Sequence, residues 1–144
     1  MVDKKKERIL IIEDDTVNAI GALQAFSKRE DVEINCAGTY KKALEMLDTY
    51  KPTIVLSDAT IPENSGESAY DFREKISKEC EKRKIPYIFV TGAPKPMTHE
   101  YHPPKIHIIK KEEDNYKILK IIDGGEKDKE VWEEAYKMLK NKEK

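Results

Sequence analysis

Acidic side chains directly follow two apolar segments of this 144-residue chain. Glu13 and Asp14 come after the segment ILII, and Asp58 comes after the segment TIVLS. Two carboxylates about 4 Å apart repel each other by roughly 4 kcal/mol at an effective dielectric constant near 20. If these three side chains meet, they need a cation or have raised pKa values. Hard oxygen ligands of this kind predict a Mg²⁺ site.

A hydroxyl and an ammonium group follow two further apolar segments. Thr91 comes after YIFV, and Lys110 comes after IHII. A metal-held aspartate beside such groups is suited to phosphoryl transfer, because cations neutralise the phosphoryl oxygens while the carboxylate attacks in line. Each residue alone has an ordinary explanation, such as a helix cap, a β-forming residue or a solvated charge. The combination predicts a phosphoryl-transfer site.

Five short apolar segments are predicted to be the strands that position these residues. The segments ILII, TIVL and YIFV are continuous rather than alternating, which favours parallel strands covered by helices on both faces. Asp15 or Thr16 is the predicted N-cap of the first helix and Thr39 that of the second. Strands that alternate with helices predict a doubly wound α/β fold. The predicted strands are Arg8–Ile12, Val32–Cys36, Thr53–Leu56, Pro86–Val90 and Ile106–Ile109.

Apolar residues at helical spacing lie between and after these segments. The predicted helical stripes are Val17, Ile20, Leu23 and Phe26; Ala43, Leu44 and Leu47; Tyr70, Phe72 and Ile76; and Ile118, Leu119 and Ile122.

The second half of the chain departs from this alternation. Four of the seven prolines lie between Pro94 and Pro104, which leaves room for only a short turn of helix there. We expect one domain over residues 1–124 and a C-terminal helical extension over residues 125–144. The extension contains a predicted amphipathic helix, Asp128–Lys142, that either packs on the domain or binds a partner with its Trp/Tyr face.

Composition excludes several classes of function. The 27 basic and 28 acidic residues leave a formal charge of −1, which argues against a nucleic-acid partner. Cys36 and Cys80 fit neither a metal motif nor a disulfide framework and are expected to be free thiols. No segment has the length of a membrane span, so we expect a cytoplasmic protein without a membrane partner.

Taken together, the motifs resemble the response-regulator receiver domain of two-component signalling. The matching segments are ILIIEDD, CAGTYKKALEMLDTYKPTIVLSDATIPENSG, IPYIFVTGA and IHIIKK, within residues 8 to about 122. The resemblance implies a flavodoxin-like sheet of five parallel strands in the order 2-1-3-4-5. It also implies a phosphoacceptor domain that catalyses its own phosphorylation and dephosphorylation rather than a classical enzyme.

The resemblance assigns a role to each candidate residue. Asp58 would be the phosphoacceptor, Asp14 a direct Mg²⁺ ligand, and Glu13 a ligand through water. Thr60 would offer its backbone carbonyl to the Mg²⁺. Two further residues would contact the phosphoryl group, the hydroxyl of Thr91 and the ammonium of Lys110.

The sequence departs from the family pattern in three places, of which the altered fourth helix concerns signal transmission. The loop into the third helix, around GESAYDFREKI, is about three residues longer than usual, and the helix between the fourth and fifth strands is short and rich in proline. Lys111 replaces the usual proline, so either Lys110 or Lys111 could reach the site. His107 stands at the position of the aromatic switch residue.

The leading interpretation is a receiver that is phosphorylated by a histidine kinase or a phosphotransfer protein and that signals by partner binding or phosphorelay. An alternative is a receiver-fold interaction module that phosphorylation does not switch. A phosphatase of the haloacid-dehalogenase type is a remote third, because DAT at residues 58–60 lacks the second Asp of the DxD motif. His99 and His102 lack further ligands at metal-binding spacing, which favours a polar surface loop there.

Overall fold

The computed structural model describes residues 6–92, 107–113, 116–122, 127 and 129–141. For residues 91–92, 107–113, 116–122 and 141 it describes the backbone. Of the helices in these ranges, none has the length and apolar character required to cross a bilayer. The chain runs through β1 (Glu7–Ile12), α1 (Thr16–Phe26), β2 (Val32–Ala37), α2 (Tyr40–Thr49), β3 (Ile54–Ser57), β4 (Thr60–Pro62), β5 (Ala69–Asp71), α3 (Arg73–Lys82), β6 (Tyr87–Gly92), β7 (His107–Glu113), β8 (Tyr116–Ile122) and α4 (Lys129–Asn141).

The main sheet has six strands in the order β2-β1-β3-β6-β8-β7. The first five in this order are mutually parallel, and β7 pairs with β8 in the antiparallel direction. The prediction of a doubly wound α/β fold is confirmed, as is the order of its first four strands. The apolar segments of β1, β3 and β6 are buried because helices cover both faces of the sheet, whereas buried and more exposed residues alternate in the edge strand β2.

The predicted fifth strand is wrong in its direction and its place. The segment Ile106–Ile109 was expected to be a parallel strand beside the fourth, but β7 (His107–Glu113) is an antiparallel strand at the edge of the sheet. The place beside β6 is taken by β8, where a helical stripe was predicted at Ile118, Leu119 and Ile122. Isoleucine is β-branched and favours strands. An apolar segment of this length is compatible with the period of a helix and with that of a strand.

The two faces of the sheet bury separate hydrophobic clusters. Successive side chains of a strand point to opposite faces, so Ile9 and Ile11 pack with α1 and α4, whereas Leu10 and Ile12 pack with α2 and α3. The N-caps of the first two helices are as predicted: Asp15 accepts a hydrogen bond from the N–H of Asn18, and Thr39 accepts one from the N–H of Lys42. Cys36 and Cys80 are free thiols.

The C-terminal helix belongs to the same core as the sheet. It lies within one residue of the predicted bounds, and it packs against α1 and β6. The ring of Tyr136 meets that of Phe26 edge-on at 5.6 Å. Of the two outcomes left open by the sequence, the structure therefore shows packing on the domain. The predicted apolar face is fully used, since all its members are buried: Val131, Trp132, Ala135, Tyr136 and Leu139.

The long loop before the third helix contains a small antiparallel hairpin of β4 and β5. Gly66 lies between the two strands with φ of +85°, a conformation that side chains of L-residues disfavour. Tyr70 was predicted to lie on a helix, but it lies in β5 and its residue surface is 63% exposed. The helix begins only at Arg73, after Phe72, whose buried ring stacks on Tyr40 at 4.4 Å. The long loop is thus partly ordered as a hairpin whose first strand begins two residues after Asp58.

Candidate functional site

The carboxyl ends of β1 and β3 bring the predicted acidic residues together. Ile12 and Ser57 are partners in the parallel register, so Glu13 and Asp58 leave the sheet side by side. The N–H of Asp58 donates to the carbonyl of Ile12 at 2.7 Å, and the N–H of Glu13 donates to the carbonyl of Ala37 at 2.9 Å. These bonds extend the sheet by one residue and fix the backbone from which both carboxylates project.

Glu13, Asp14 and Asp58 form a compact set of carboxylates. Each offers one ligand oxygen, and these atoms all lie within 4.8 Å of one another. Glu13 is buried, Asp14 is exposed, and Asp58 is intermediate. Three hard oxygen donors, with solvent access from the side of Asp14, fit the requirements of Mg²⁺, which keeps several water ligands. The donor set therefore fits the predicted metal.

Burial and mutual repulsion raise the pKa of two of these carboxylates. The pKa of Glu13 is raised to about 7, chiefly because the carboxylate is removed from water and also because Asp58 is close. Lys127 opposes this shift. The pKa of Asp14 is also raised, mainly because its carboxylate, although exposed at the surface, is partly removed from water, and with a smaller contribution from Asp58. Both shifts therefore disfavour the ionised carboxylates, which a bound cation would favour.

Among the side chains that the structure describes, that of Lys127 brings an ammonium group to the carboxylates, and the sequence analysis did not select this residue. Its Nζ lies 2.5 Å from Oε1 of Glu13 and 3.4 Å from Oδ2 of Asp58. Only 4% of the Lys127 side chain is exposed, against 1% for Glu13. A buried charge is stable only when it is paired. The Lys127 ammonium is paired with the buried carboxylate of Glu13 and the partly buried carboxylate of Asp58.

Contacts with α1 and α4 hold Lys127 in this position. Its N–H donates to Oδ1 of Asn18 at 2.8 Å. The indole N–H of Trp132 donates to the carbonyls of Asn18, at 2.9 Å, and of Lys127, at 3.2 Å. Nζ of Lys127 also lies 5.7 Å from the centre of the Trp132 ring. The lysine is therefore anchored by its backbone while its side chain reaches across to the sheet.

Two predicted residues border the site. Thr60 begins β4, and its N–H lies 3.4 Å from Oδ1 of Asp58. Thr91 is near the carboxyl end of β6, two residues beyond Phe89, which stands opposite Ser57 on β3. The backbone of Thr91 is therefore at the same edge of the sheet as the carboxylates, on the strand beside β3.

Lys110 and His107 are on β7, which is two strands farther from β3 than β6, the strand of Thr91. Lys110 is in the middle of β7, opposite Leu119, and β8 and β6 separate β7 from β3. Adjacent strands are about 4.8 Å apart, so the backbone of Lys110 is roughly 14 Å from β3. The structure does not bring its backbone to the carboxylates. His107 is the first residue of β7, opposite Ile122. Because β7 is antiparallel, His107 lies at the carboxyl edge of the sheet.

Several predictions concern residues outside the described ranges. These are the short proline-rich helix between the fourth and fifth strands and the pair His99 and His102.

Comparisons with known proteins agree with this geometry. The family model described as "Response regulator receiver domain" matches residues 9–123. A comparison with curated proteins gives no match. Among solved structures, the anti-anti-sigma factor PhyR from Bartonella quintana aligns over 96% of this chain and 50% of its own, with 19% identity and a TM-score of 0.52, which shows a shared fold.

Two other solved structures align over shorter stretches. The response regulator PhyR from Brucella abortus is 25% identical over 60% of this chain and 34% of its own, with a TM-score of 0.48. The response regulator domain of CheB from Thermotoga maritima is 17% identical over 60% of this chain and 61% of its own, also with a TM-score of 0.48. The chain thus spans less than two thirds of each of these three proteins.

Proposed function

Because the chain belongs to the response regulator receiver domain family, we propose that it accepts a phosphoryl group on Asp58 in a Mg²⁺-dependent reaction. The observation that carries this proposal is the meeting of Glu13, Asp14 and Asp58 within 4.8 Å at the carboxyl edge of a parallel sheet. In open α/β sheets this edge is where ligands bind. Receiver domains are signalling domains, and the phosphorylated state would act by partner binding or by relay.

Each residue of the site has a role in the proposed transfer. The Asp58 carboxylate attacks phosphorus, forming an O–P bond while the bond to the donor breaks, and the leaving group takes up a proton. Thr60 orients the attacking carboxylate through its N–H, which lies 3.4 Å from Oδ1. Glu13, Asp14, Asp58 and the Thr60 carbonyl would hold Mg²⁺, which supplies neutralisation of the phosphoryl oxygens.

We assign to Lys127 the ammonium role that the family resemblance gave to Lys110. Its Nζ lies 3.4 Å from Oδ2 of Asp58, within reach of an oxygen on a phosphoryl group attached there. Thr91 keeps its predicted role as the hydroxyl that binds the phosphoryl group, in keeping with its place at the end of β6. The role of His107 in switching stays a prediction.

The proposed phosphodonor is a histidine kinase or a phosphotransfer protein, and α1 is where we expect it to dock. Three large apolar side chains on this helix are exposed to 44–53%, namely Val17, Ile20 and Leu23. The helix begins two residues after Asp14, so a protein that docks on this stripe would lie beside the acidic site. Exposed apolar patches beside a functional site commonly mark interaction surfaces.

Phosphorylation by a small phosphodonor tests the proposal directly. We expect wild-type protein with Mg²⁺ and acetyl phosphate to gain the mass of one phosphoryl group, and the product to be cleaved by hydroxylamine as an acyl phosphate. Asp58→Asn should gain no mass, whereas Asp48→Asn, an exposed control on α2, should behave as wild type.

Two outcomes would count against the proposal. Equal labelling of wild type and Asp58→Asn would show that the phosphoacceptor lies elsewhere. No labelling of wild type at saturating Mg²⁺ would instead support the alternative, an interaction module that phosphorylation does not switch.

A further inference from the structure

A pocket of about 380 Å³ lies at the edge of the sheet opposite to the acidic site. It is lined by Arg8, near the start of β1, and by residues at the ends of α2 and α3, among them Lys51 and Arg83. Pockets that hold small molecules commonly have volumes of about 300–1,000 Å³. The proposed phosphoryl transfer uses none of these residues, so the pocket is a separate candidate binding site.

The lining of this pocket combines apolar side chains with cations. Leu47 and Pro52 are buried and Ile85 is half-buried, whereas Lys51 is exposed. Small-molecule sites are mostly apolar and contain a few polar groups that fix the orientation of the ligand. The cationic residues are therefore the groups that would select the charge of a ligand here.

The guanidinium of Arg8 has no carboxylate partner among the residues that the structure describes. The side chain lies on the same face of β1 as Leu10 and Ile12, the face that α2 and α3 cover. Its Nε and Nη2 donate to the carbonyl of Lys51 at 2.9 and 2.7 Å. Glu33 stands opposite Arg8 in the register of β1 and β2, but the two side chains form no ion pair. The N–H groups of Nη1 are thus available to a ligand.

Arg83, in contrast, is already neutralised by carboxylates. Its Nη2 lies 2.8 Å from Oδ1 of Asp48, and its Nη1 lies 2.7 Å from Oε1 of Glu79. Asp48 also lines the pocket, where its charge would repel an anion. Because the Arg83 guanidinium opposes this charge at close range, the repulsion is reduced.

The ends of the two helices are likewise compensated by guanidinium groups. The carboxyl end of a helix carries a partial negative charge, which disfavours an anion. Arg8 binds the carbonyl of Lys51 at the end of α2, and Nη1 of Arg83 donates to the carbonyl of Glu79 in α3 at 2.9 Å. Lys51 is the second residue after α2 and has φ of +53°. Its ammonium has no ion-pair partner within the described ranges, so Arg8 and Lys51 are the two cations left to a ligand.

We propose that this pocket binds a small organic anion, with the charged group on Arg8 and Lys51 and an apolar body against Leu47, Pro52 and Ile85. A guanidinium binds carboxylate and phosphate groups alike through paired N–H donors. The anionic group is therefore a carboxylate or a phosphate. The site is independent of the acidic site and of the proposed phosphoryl transfer.

Two-dimensional proton–nitrogen NMR spectra of the full chain locate the binding and measure its affinity. The probes are benzoate, phenylphosphonate and the uncharged benzamide, which share one aromatic ring. Phenylphosphonate cannot donate a phosphoryl group, because its phosphorus is bonded to carbon. The variants are Arg8→Gln, Lys51→Gln and the control Lys84→Gln. Lys84 is an exposed lysine that is likewise the second residue after its helix, with φ of +58°, but it does not line the pocket.

We expect an anionic probe to shift the amide signals of Leu47, Asp48 and Ile85 until the site is saturated. Benzamide should bind at least tenfold more weakly. Arg8→Gln should weaken anion binding about tenfold or more, because it removes hydrogen bonds to a charged group. Lys51→Gln should weaken it about 2- to 5-fold, since exposed ion pairs contribute less. Lys84→Gln should bind as wild type does.

The two anions distinguish the sources of the charged group. Saturation by benzoate alone assigns the pocket to carboxylates, and saturation by phenylphosphonate alone assigns it to phosphate-type anions.

Four outcomes would overturn the proposal. They are saturable shifts confined to other amides, equal affinities for benzamide and the anions, equal anion affinities of wild type and Arg8→Gln, and no saturable shift at about 10 mM probe, which fills a site of millimolar affinity. If Arg8→Gln does not fold by circular dichroism, Lys51→Gln is compared with Lys84→Gln. Equal anion affinities of these two variants would then overturn the proposal.

Discussion

Replacing Glu13 with glutamine should change how the stability of the protein depends on pH. The pKa of Glu13 is raised from 4.5 to about 7 in the folded protein, chiefly by burial. Between pH 4.5 and about 7, Glu13 therefore keeps its proton in the folded state and has lost it in the unfolded state. The stability from this group is fully present below pH 4.5 and is lost as the pH rises through 7. A shift of this size corresponds to about 3 kcal/mol, since one pKa unit is about 1.4 kcal/mol.

Urea unfolding in the presence of a chelator, followed by circular dichroism between pH 4.5 and 8, measures this effect. The free energy of unfolding of wild type should fall across this range relative to that of Glu13→Gln, by up to about 3 kcal/mol. Glu130→Gln, an exposed control on α4, should follow wild type. Saturating Mg²⁺ should reduce the difference at pH 8, because a bound cation stabilises ionised Glu13. Parallel pH profiles for wild type and Glu13→Gln would refute the assignment of a raised pKa.

Three further predictions follow from the exposed stripe, the core and the thiols. Ile20→Glu should slow phosphoryl transfer from a phosphohistidine protein at least tenfold, a loss of about 1.4 kcal/mol, while transfer from acetyl phosphate is unchanged; equal rates with the protein donor would exclude α1 as the docking surface. Trp132→Ala should lower the free energy of unfolding by about 3–5 kcal/mol, because the side chain is fully buried; a loss below 1 kcal/mol in urea unfolding would show that α4 adds little to the core. Iodoacetamide at pH 8 should modify Cys36 before Cys80, because burial raises the pKa of the Cys80 thiol to about 12; peptide mass spectrometry reads this, and preferential labelling of Cys80 would contradict it.

The first half of the fold could be predicted because local signals and tertiary packing agree there. The predicted apolar segments end within one residue of the observed strands β1, β2 and β3. Asp15 and Thr39 are the N-caps of α1 and α2, a position that their side chains favour. Glu13 and Asp58 could be placed together since adjacent parallel strands end at the same edge of the sheet. No feature of the local sequence could give the separation of their oxygens or their burial, which depend on the complete core.

The second half of the fold could not be predicted, because a short apolar segment does not determine whether its strand runs parallel or antiparallel to its neighbour. Lys110 was selected as the residue that follows IHII, on the assumption that this strand runs parallel to the others. In an antiparallel strand the following residues lead away from the site, and β7 is antiparallel. Lys127 is instead the first lysine after β8, which is parallel to β6. The signal that could have found Lys127 is the glycine pair at residues 124–125, which follows an apolar segment that ends at Ile122.

The span of sequence between Lys127 and Glu13, 114 residues, has a consequence for synthesis on the ribosome. The three carboxylates are all present once Asp58 has been made, but their buried ammonium partner is added 69 residues later. At about 5–20 residues per second, this delay is roughly 3 to 14 s. During that time the nascent β1–β3 unit carries three acidic groups without their lysine. Bound Mg²⁺ could serve as a temporary counter-charge, so that the ion acts as a folding aid before it acts in signalling.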